Sequence, residues 1–222
     1  MLKVENVEVL GWEHAIRGMR NPKNSWEKSD SHWDYVNQGP EYLAVSHFDD
    51  ADFNIGPNDK QLMMALRNAG TDHRKFMRMI TVYLDITAPL YWWKEFDTYK
   101  VGTVANSTST MHKIHAKPFS RADFSCDRMT PTALACLDHI IAVLEERRQV
   151  FVAEKERAAW DDMIQLLPSS YMQMRTCTLN YENLLNIYFA RRAHKLPEWH
   201  VFCDWILTLP YMDAFTQAAA RE

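Results

Sequence analysis

Residues 79–96 read Met79-Ile80-Thr81-Val82-Tyr83-Leu84-Asp85-Ile86-Thr87-Ala88-Pro89-Leu90-Tyr91-Trp92-Trp93-Lys94-Glu95-Phe96. Over 79–86 the chain alternates. Ile80, Val82, Leu84 and Ile86 fall on one face of an extended backbone, with Thr81, Tyr83 and Asp85 on the other, which predicts a half-buried strand. Pro89 suits the first turn of a helix, where its fixed φ is already helical and its missing N–H costs nothing. Leu90 to Phe96 then continue with four aromatics. Such a stripe serves a core, or stacks a flat ring such as an isoalloxazine or a base. A strand passing through proline into a helix sets the expectation of a mixed α/β chain.

Working outward, residues 2–10 place Leu2, Val4, Val7 and Val9 among charges, a strand pattern with one slip. Residues 21–41 have loop composition, and Trp26, Trp33 and Tyr35 suggest that the loop packs on something. Asn58 or Asp59 can cap a helix running to Asn68, with Gly70 as its stop. Residues 101–111 are rich in hydroxyls and poor in helix formers, which predicts a loop. Thr130-Pro131 opens a long helix with Leu134, Leu137, Ile140, Ile141 and Leu144 inward, and a second helical piece ends at Leu167-Pro168. Residues 171–178 read as a strand, and 181–195 and 198–208 as two amphipathic helices. With no repeat, linker or composition break, 1–222 is expected to be a single domain.

Composition narrows the function. Hydrophobic residues make up 47% of the 222, enough for a sizeable core. The 25 basic and 29 acidic side chains leave a net charge of -4, which gives no broad attraction to nucleic acid or to a membrane. No apolar run approaches the ~20 residues that span a bilayer, and Met1 to Glu5 lack the apolar core of a signal peptide. A cytoplasmic protein with reduced, mostly buried Cys126, Cys136, Cys177 and Cys203 is therefore expected. Six glycines without a glycine-rich phosphate loop argue against P-loop and Rossmann sites.

The densest polar set is Thr103, Asn106, Ser107, Thr108, Ser109 and Thr110, followed by His112, Lys113 and His115. Hydroxyls and backbone N–H groups in a loop before a helix can hold a phosphate; equally, they can be a solvated loop. His112 with His115, and His200 with Cys203, have the i, i+3 spacing of metal ligands but no third ligand, so no metal site is expected.

Two stretches resemble the flavin-dependent thymidylate synthases. That family has a Gly-His pair, an Ala-Pro pair about fifteen residues later, then Arg-His-Arg and a Ser-x-Asn-Glu-x-Ser-x-Arg-Tyr run. Here His73 and Ala88-Pro89 fall at matching spacing, Thr98-Tyr99-Lys100 stand at Arg-His-Arg, and Thr103, Asn106, Thr108 and Thr110 follow. In the second stretch the family has Leu-Pro, an Asn twelve positions on that opens a helix, another Asn six further and an Arg five beyond. Leu167-Pro168, Asn180, Asn186 and Arg191 reproduce this without a gap. A basic position four before the Pro is Ile164 here, the family's Arg two after the first Asn is Glu182, and Arg17 matches a weaker N-terminal segment.

The resemblance implies an antiparallel or mixed sheet flanked by helices, with a helical C-terminal region. It implies FAD bound between subunits of a homotetramer, NADPH as hydride donor, and one-carbon transfer from methylenetetrahydrofolate to C5 of a deoxyuridine nucleotide. Arg191 would serve the nucleotide and Thr108 with Lys100 its phosphate. His73, Thr98, Tyr99, Lys100, Asn106, Asn180 and Asn186 would form the cofactor site. Each lost arginine removes charge-assisted hydrogen bonds of ~1.5–3 kcal/mol, with Lys94, Lys100, Lys113, Lys117, Arg175 and Arg192 as candidate replacements. The altered signature supports an alternative: a non-catalytic or altered-chemistry nucleotide binder without flavin.

Overall fold

In the computed structural model, which describes residues 1–35 and 51–217, the chain opens with β1 (Lys3–Leu10), α1 (Trp12–Arg20), β2 (His32–Tyr35), β3 (Ala51–Asn54) and α2 (Pro57–Asn68). It continues through β4 (Thr81–Pro89), α3 (Leu90–Phe96), β5 (Val104–Ser107), α4 (Pro131–Glu154) and α5 (Arg157–Leu166). It ends with β6 (Met172–Asn180), α6 (Tyr181–Arg191), α7 (Pro197–Thr208) and α8 (Met212–Thr216). Among the described residues these are eight α-helices and, apart from a β2–β3 ribbon, one four-stranded antiparallel sheet in the order β1-β4-β6-β5. This is the expected α/β class, helical at its C-terminal end.

The alternation at 79–86 becomes β4, whose buried members are Val82, Leu84, Ile86, Ala88 and Pro89. Pro89 closes the strand instead of opening the helix: at φ −69, ψ 150 it is extended, and α3 starts at Leu90, whose N–H bonds Tyr171 O at 3.0 Å. The slip in β1 sits at Asn6, which holds a left-handed φ of 52. Thr130 caps α4 as expected, its hydroxyl accepting from Ala133 N. Of the five expected core positions of α4, Leu137 and Leu144 are fully buried, and Leu134, Ile140 and Ile141 are partly so.

Other expectations are corrected. Residues 101–111 are not all loop: Val104–Ser107 pair with β6 in the register Val104↔Thr178 to Ser107↔Arg175. All four residues of β5 are exposed, so no buried face imposes alternation. No helix follows directly either; apart from a short 3-10 turn at Arg121–Asp123, the next is α4. Neither Asn58 nor Asp59 caps α2, which begins at Pro57. The Asp30 carboxylate takes the N–H groups of Asn58 (2.9 Å) and Asp59 (3.1 Å) instead. The predicted loop at 21–41 contains a strand, β2, in which Trp33 meets Phe53 of β3 edge-on at 5.0 Å, whereas Trp26 is half exposed; 36–41 lie outside the described residues.

The chain divides into two compact units. The first comprises Met1–Val7, Tyr83–Thr178 and Arg191–Trp205; the second comprises the described parts of Glu8–Val82, Leu179–Ala190 and Ile206–Glu222. In the first, Trp92 and Trp93 are 0% and 1% exposed, and Trp92 packs on Phe96, Trp199 and Phe202. Trp92, Trp93 and Phe96 are therefore core, and the tryptophans leave no surface for a stacked ring. A neighbouring cluster gathers Ile114, Phe119, Phe124, Leu137, Leu144 and Met163. In the second unit, Tyr181 is buried between Trp12 (5.1 Å) and Phe215 (6.3 Å), with its hydroxyl donating to Pro210 O. Gly11 starts α1 at φ 95, where a side chain would collide with Met79 O.

Candidate functional site

Arg191 and Tyr99 belong to the two different stretches of family resemblance, and the first unit brings them together. Arg191 ends α6, where a cation complements the helix dipole. Its Nε donates to Tyr99 Oη at 2.8 Å and its Nη1 to Glu95 Oε2 at 2.7 Å. The guanidinium lies 4.7 Å from the Trp199 ring centroid and 5.5 Å from that of Tyr99. Glu95 Oε2 also accepts from Trp199 Nε1 at 3.0 Å, and His194 Nε2 stands 3.3 Å away. Arg191 is thus oriented by two rings and one carboxylate, and its side chain stays 18% exposed.

The rest of the signature segment lies along the surface of this unit. Thr98 Oγ1 donates to Glu95 O at 2.7 Å, Lys100 is exposed, and Asn106 sits on β5 opposite Thr176. Thr108 extends that pairing: its N–H and Oγ1 both donate to Met174 O, and its carbonyl accepts from Gln173 Nε2. Of the proposed substitute cations, Arg175 pairs with Asp97 over the Trp93 ring, and Lys117 pairs with Asp123. A cavity of about 450 Å³ lies elsewhere in the unit, with Tyr91, Ser125 and Arg128 on its wall. Tyr91 and Arg128 both donate to the buried Glu198. Burial, then the bond to Glu198, raises the Tyr91 pKa.

Asn186, Asn180 and His73 belong to the second unit. Asn180 caps α6: its Oδ1 accepts from Asn183 N at 2.9 Å, and its own N–H donates to Asn183 Oδ1 at 3.2 Å. Asn186 is exposed, and its Oδ1 accepts from Arg74 Nη2 at 3.1 Å. His73 is exposed in the turn before Arg74, and its backbone N–H bonds Gly70 O.

Sequence reasoning missed the charges around Asn186. Glu182, 6% exposed, takes Arg74 Nε on one oxygen at 3.0 Å and Arg78 Nε on the other. Burial by itself would raise the Glu182 pKa, but the hydrogen bonds from Arg78 and Arg74 outweigh it and hold the carboxyl below its ordinary value. Arg67 has a buried Nε with no hydrogen-bond partner; burial lowers its pKa, and the charge of Arg74 lowers it further. Three guanidiniums thus stand against Glu182 and Asp72, which interacts with Arg78, so positive charge is left over. The available signal was Arg74 and Arg78 at i, i+4 beside His73, together with a glutamate at 182 where the family has arginine. Among the described residues no group of three or more His, Cys, Asp or Glu side chains could hold a metal ion. No helix among them is long and apolar enough to cross a membrane.

The sequence matches no protein-family model and no curated protein. Solved structures do match. The flavin-dependent thymidylate synthase ThyX from Helicobacter pylori, complexed with FAD and dUMP, is similar with a TM-score of 0.64 at 16% identity, over 96% of this chain and 97% of that one. A second structure of the same synthase with FAD and dUMP gives a TM-score of 0.65 at 15% identity, covering 97% of each chain. The UMP/dUMP methylase PolB from Streptomyces cacaoi, bound with 5-Br dUMP, gives 0.61 at 14% identity over 98% of this chain and 96% of that one. Likeness at that level, carried nearly end to end, means that this chain has the ThyX fold.

Proposed function

We propose that the chain, as one ThyX-like domain over 1–222, is a flavin-dependent enzyme of the thymidylate synthase type. It would use FAD, with NADPH and methylenetetrahydrofolate as cosubstrates, to transfer a one-carbon unit to C5 of a deoxyuridine nucleotide. The observation that carries this reading is Arg191, matched to the nucleotide-contacting arginine of the family and held on Tyr99 and Trp199. A guanidinium fixed before the ligand arrives loses little freedom on binding, which is what a group orienting a pyrimidine ring requires. Thr108 and Lys100 would face the phosphate, with Thr98, Tyr99 and Asn106 beside them. Asn186, with an amide nitrogen that can donate, and His73 next to Arg74 and Arg78 fit an anionic dinucleotide, since positive charge is left over there. Bound FAD would supply the hydride chemistry. The residues would supply orientation and electrostatics. A homotetramer in the cytoplasm, without a nucleic-acid or membrane partner, belongs to the same reading.

A second reading keeps the nucleotide and loses flavin and catalysis. It is favoured by Glu95, which already neutralises Arg191, and by Asn180, whose side chain caps a helix. Melting curves with FAD, FMN and dUMP, singly and together, separate the two. The enzyme reading expects yellow protein or a melting temperature that climbs with FAD concentration by mass action. A shift with dUMP alone favours the binder, and curves unmoved by every ligand overturn both.

A further inference from the structure

We propose that a cavity in the second unit, walled by Arg20, Lys23, Ser25, Lys28, Asn58 and Gln61, binds the phosphoryl group of a small phosphate monoester. The proposal is independent of the flavin reading. The cavity has a volume of about 360 Å³, at the lower end of the ~300–1,000 Å³ usual for ligand pockets. One wall is a helix face: Asn58, Gln61, Leu62 and Ala65 repeat at three- and four-residue spacing along α2. The opposite side is the end of α1 and the two short turns after it. Asn24, at φ 43, reverses the chain between Lys23 and Ser25.

Arg20 shows that the site is built. Its side chain is 4% exposed, and its Nε donates to Asp59 Oδ1 at 2.6 Å and its Nη1 to Ser25 O at 3.2 Å. Asp59 is fully buried, and its other oxygen accepts from the hydroxyls of Ser29 and Ser31 and the N–H groups of Asp30 and Ser31. The carboxylate is thereby locked and fixes the guanidinium plane. Arg20 Nη2 makes no hydrogen bond among the described residues. Ser25, 7% exposed, carries a buried hydroxyl with no partner. A buried hydroxyl left unbonded costs on the order of 1–3 kcal/mol, which a ligand oxygen would recover.

Charge selects the ligand class. The wall contains three cations and no carboxylate. Asp59, behind the wall, cancels one cation and leaves two. A phosphate monoester brings about −1.5 to −2 charges at neutral pH, whereas a carboxylate brings one. Asp30 is turned to the N-terminus of α2 and does not line the cavity.

Calorimetry with inorganic phosphate, dUMP and acetate at matched ionic strength tests the proposal. Phosphate should bind and acetate should not. The Lys23→Ala/Lys28→Ala double variant should lose about tenfold in phosphate affinity, and Ser25→Ala should lose a smaller factor. Both lysines are exposed, so their removal leaves the fold intact, and an unchanged melting curve verifies this. If the double variant weakens dUMP along with phosphate, the source is a nucleotide; if it weakens phosphate alone, the source is a smaller ester, and either result supports the site. Phosphate affinity unchanged in the double variant, or acetate binding as well as phosphate, overturns it. A failure here leaves dUMP binding and its dependence on Arg191 untouched, so it is distinguishable from a failure of the proposed function.

Discussion

Two glutamates, one in each unit, gather long-range donors, and they do it differently. Glu95 concentrates its contacts on one oxygen, which faces Arg191, the Trp199 indole and His194. Glu182 gives one arginine to each oxygen and is far more deeply buried, 6% exposed against 34% for Glu95. Around Glu95 one carboxylate meets one guanidinium and the charges cancel, so the ring platform decides where Arg191 points. Around Glu182 the cations outnumber the carboxylate, which holds them together while positive charge remains available. The same residue type thus orients a cation in one unit and restrains a surplus of cations in the other.

The sharpest test of this contrast is removal of the buried carboxylate. Glu182→Ala should cost about 3 kcal/mol, because it leaves Arg74 and Arg78 near each other without the carboxylate that holds them. Chemical denaturation reads that loss, and a cost below that of the next variant would invert the comparison. Glu95→Ala should cost about 2 kcal/mol, since its donors retain partial access to water. On the proposed nucleotide reading, Glu95→Gln, with the platform kept, should instead tighten dUMP binding several-fold by freeing Arg191, and Arg191→Ala should abolish it; weaker binding of the glutamine variant in calorimetry would make Glu95 itself a nucleotide contact. Asn180→Ala should cost about 1 kcal/mol as a lost helix cap. If it also lowers flavin affinity, the asparagine does more than cap.

Acid separates the two units further. Glu182, held below its ordinary 4.5, stabilises the fold above that value and loses its contribution as pH falls through the folded-state pKa. Glu145 in the first unit is drawn down to about 2, by Arg148 foremost, so its contribution fades between 4.5 and about 2. Melting temperatures followed downward from neutral pH should therefore fall in that window, and Glu145→Gln should flatten the lower part of the curve. An unchanged slope would remove Glu145 from the account.

Strands and helices with one buried face were legible in the sequence. β4 announces itself by alternation, and α4 by Thr130-Pro131 and its apolar spacing. β5 was missed because an edge strand exposed on both faces carries no period. Pro89 was misplaced by one step because the rule that favours proline at the helix start does not forbid it as the last strand residue. The candidate site was legible only in pieces. Arg191 and Tyr99 came from family spacing, but Glu95, which holds Arg191 from 96 positions away in sequence, carries no local mark. Arg74 and Arg78 were hidden for the same reason: their meaning depends on Glu182, more than a hundred residues on.

Gly56 has an ordinary backbone, φ −71, that any residue could adopt, so its conformation gives no reason for glycine. Space does. A β-carbon there would overlap the Asp30 carboxyl group and its carbonyl oxygen. The smallest possible substitution, Gly56→Ala, would thus evict Asp30 from the first turn of α2. Asp30 and Ser31 donate their N–H groups to Asp59, and Asp59 fixes Arg20, so one added methyl would travel through three residues to tilt a guanidinium. A deep mutational scan would then report position 56 as intolerant of every side chain. Its neighbour Pro57 would mark the helix start, and the phenotype would be misread as a demand for flexibility when it is a shortage of room.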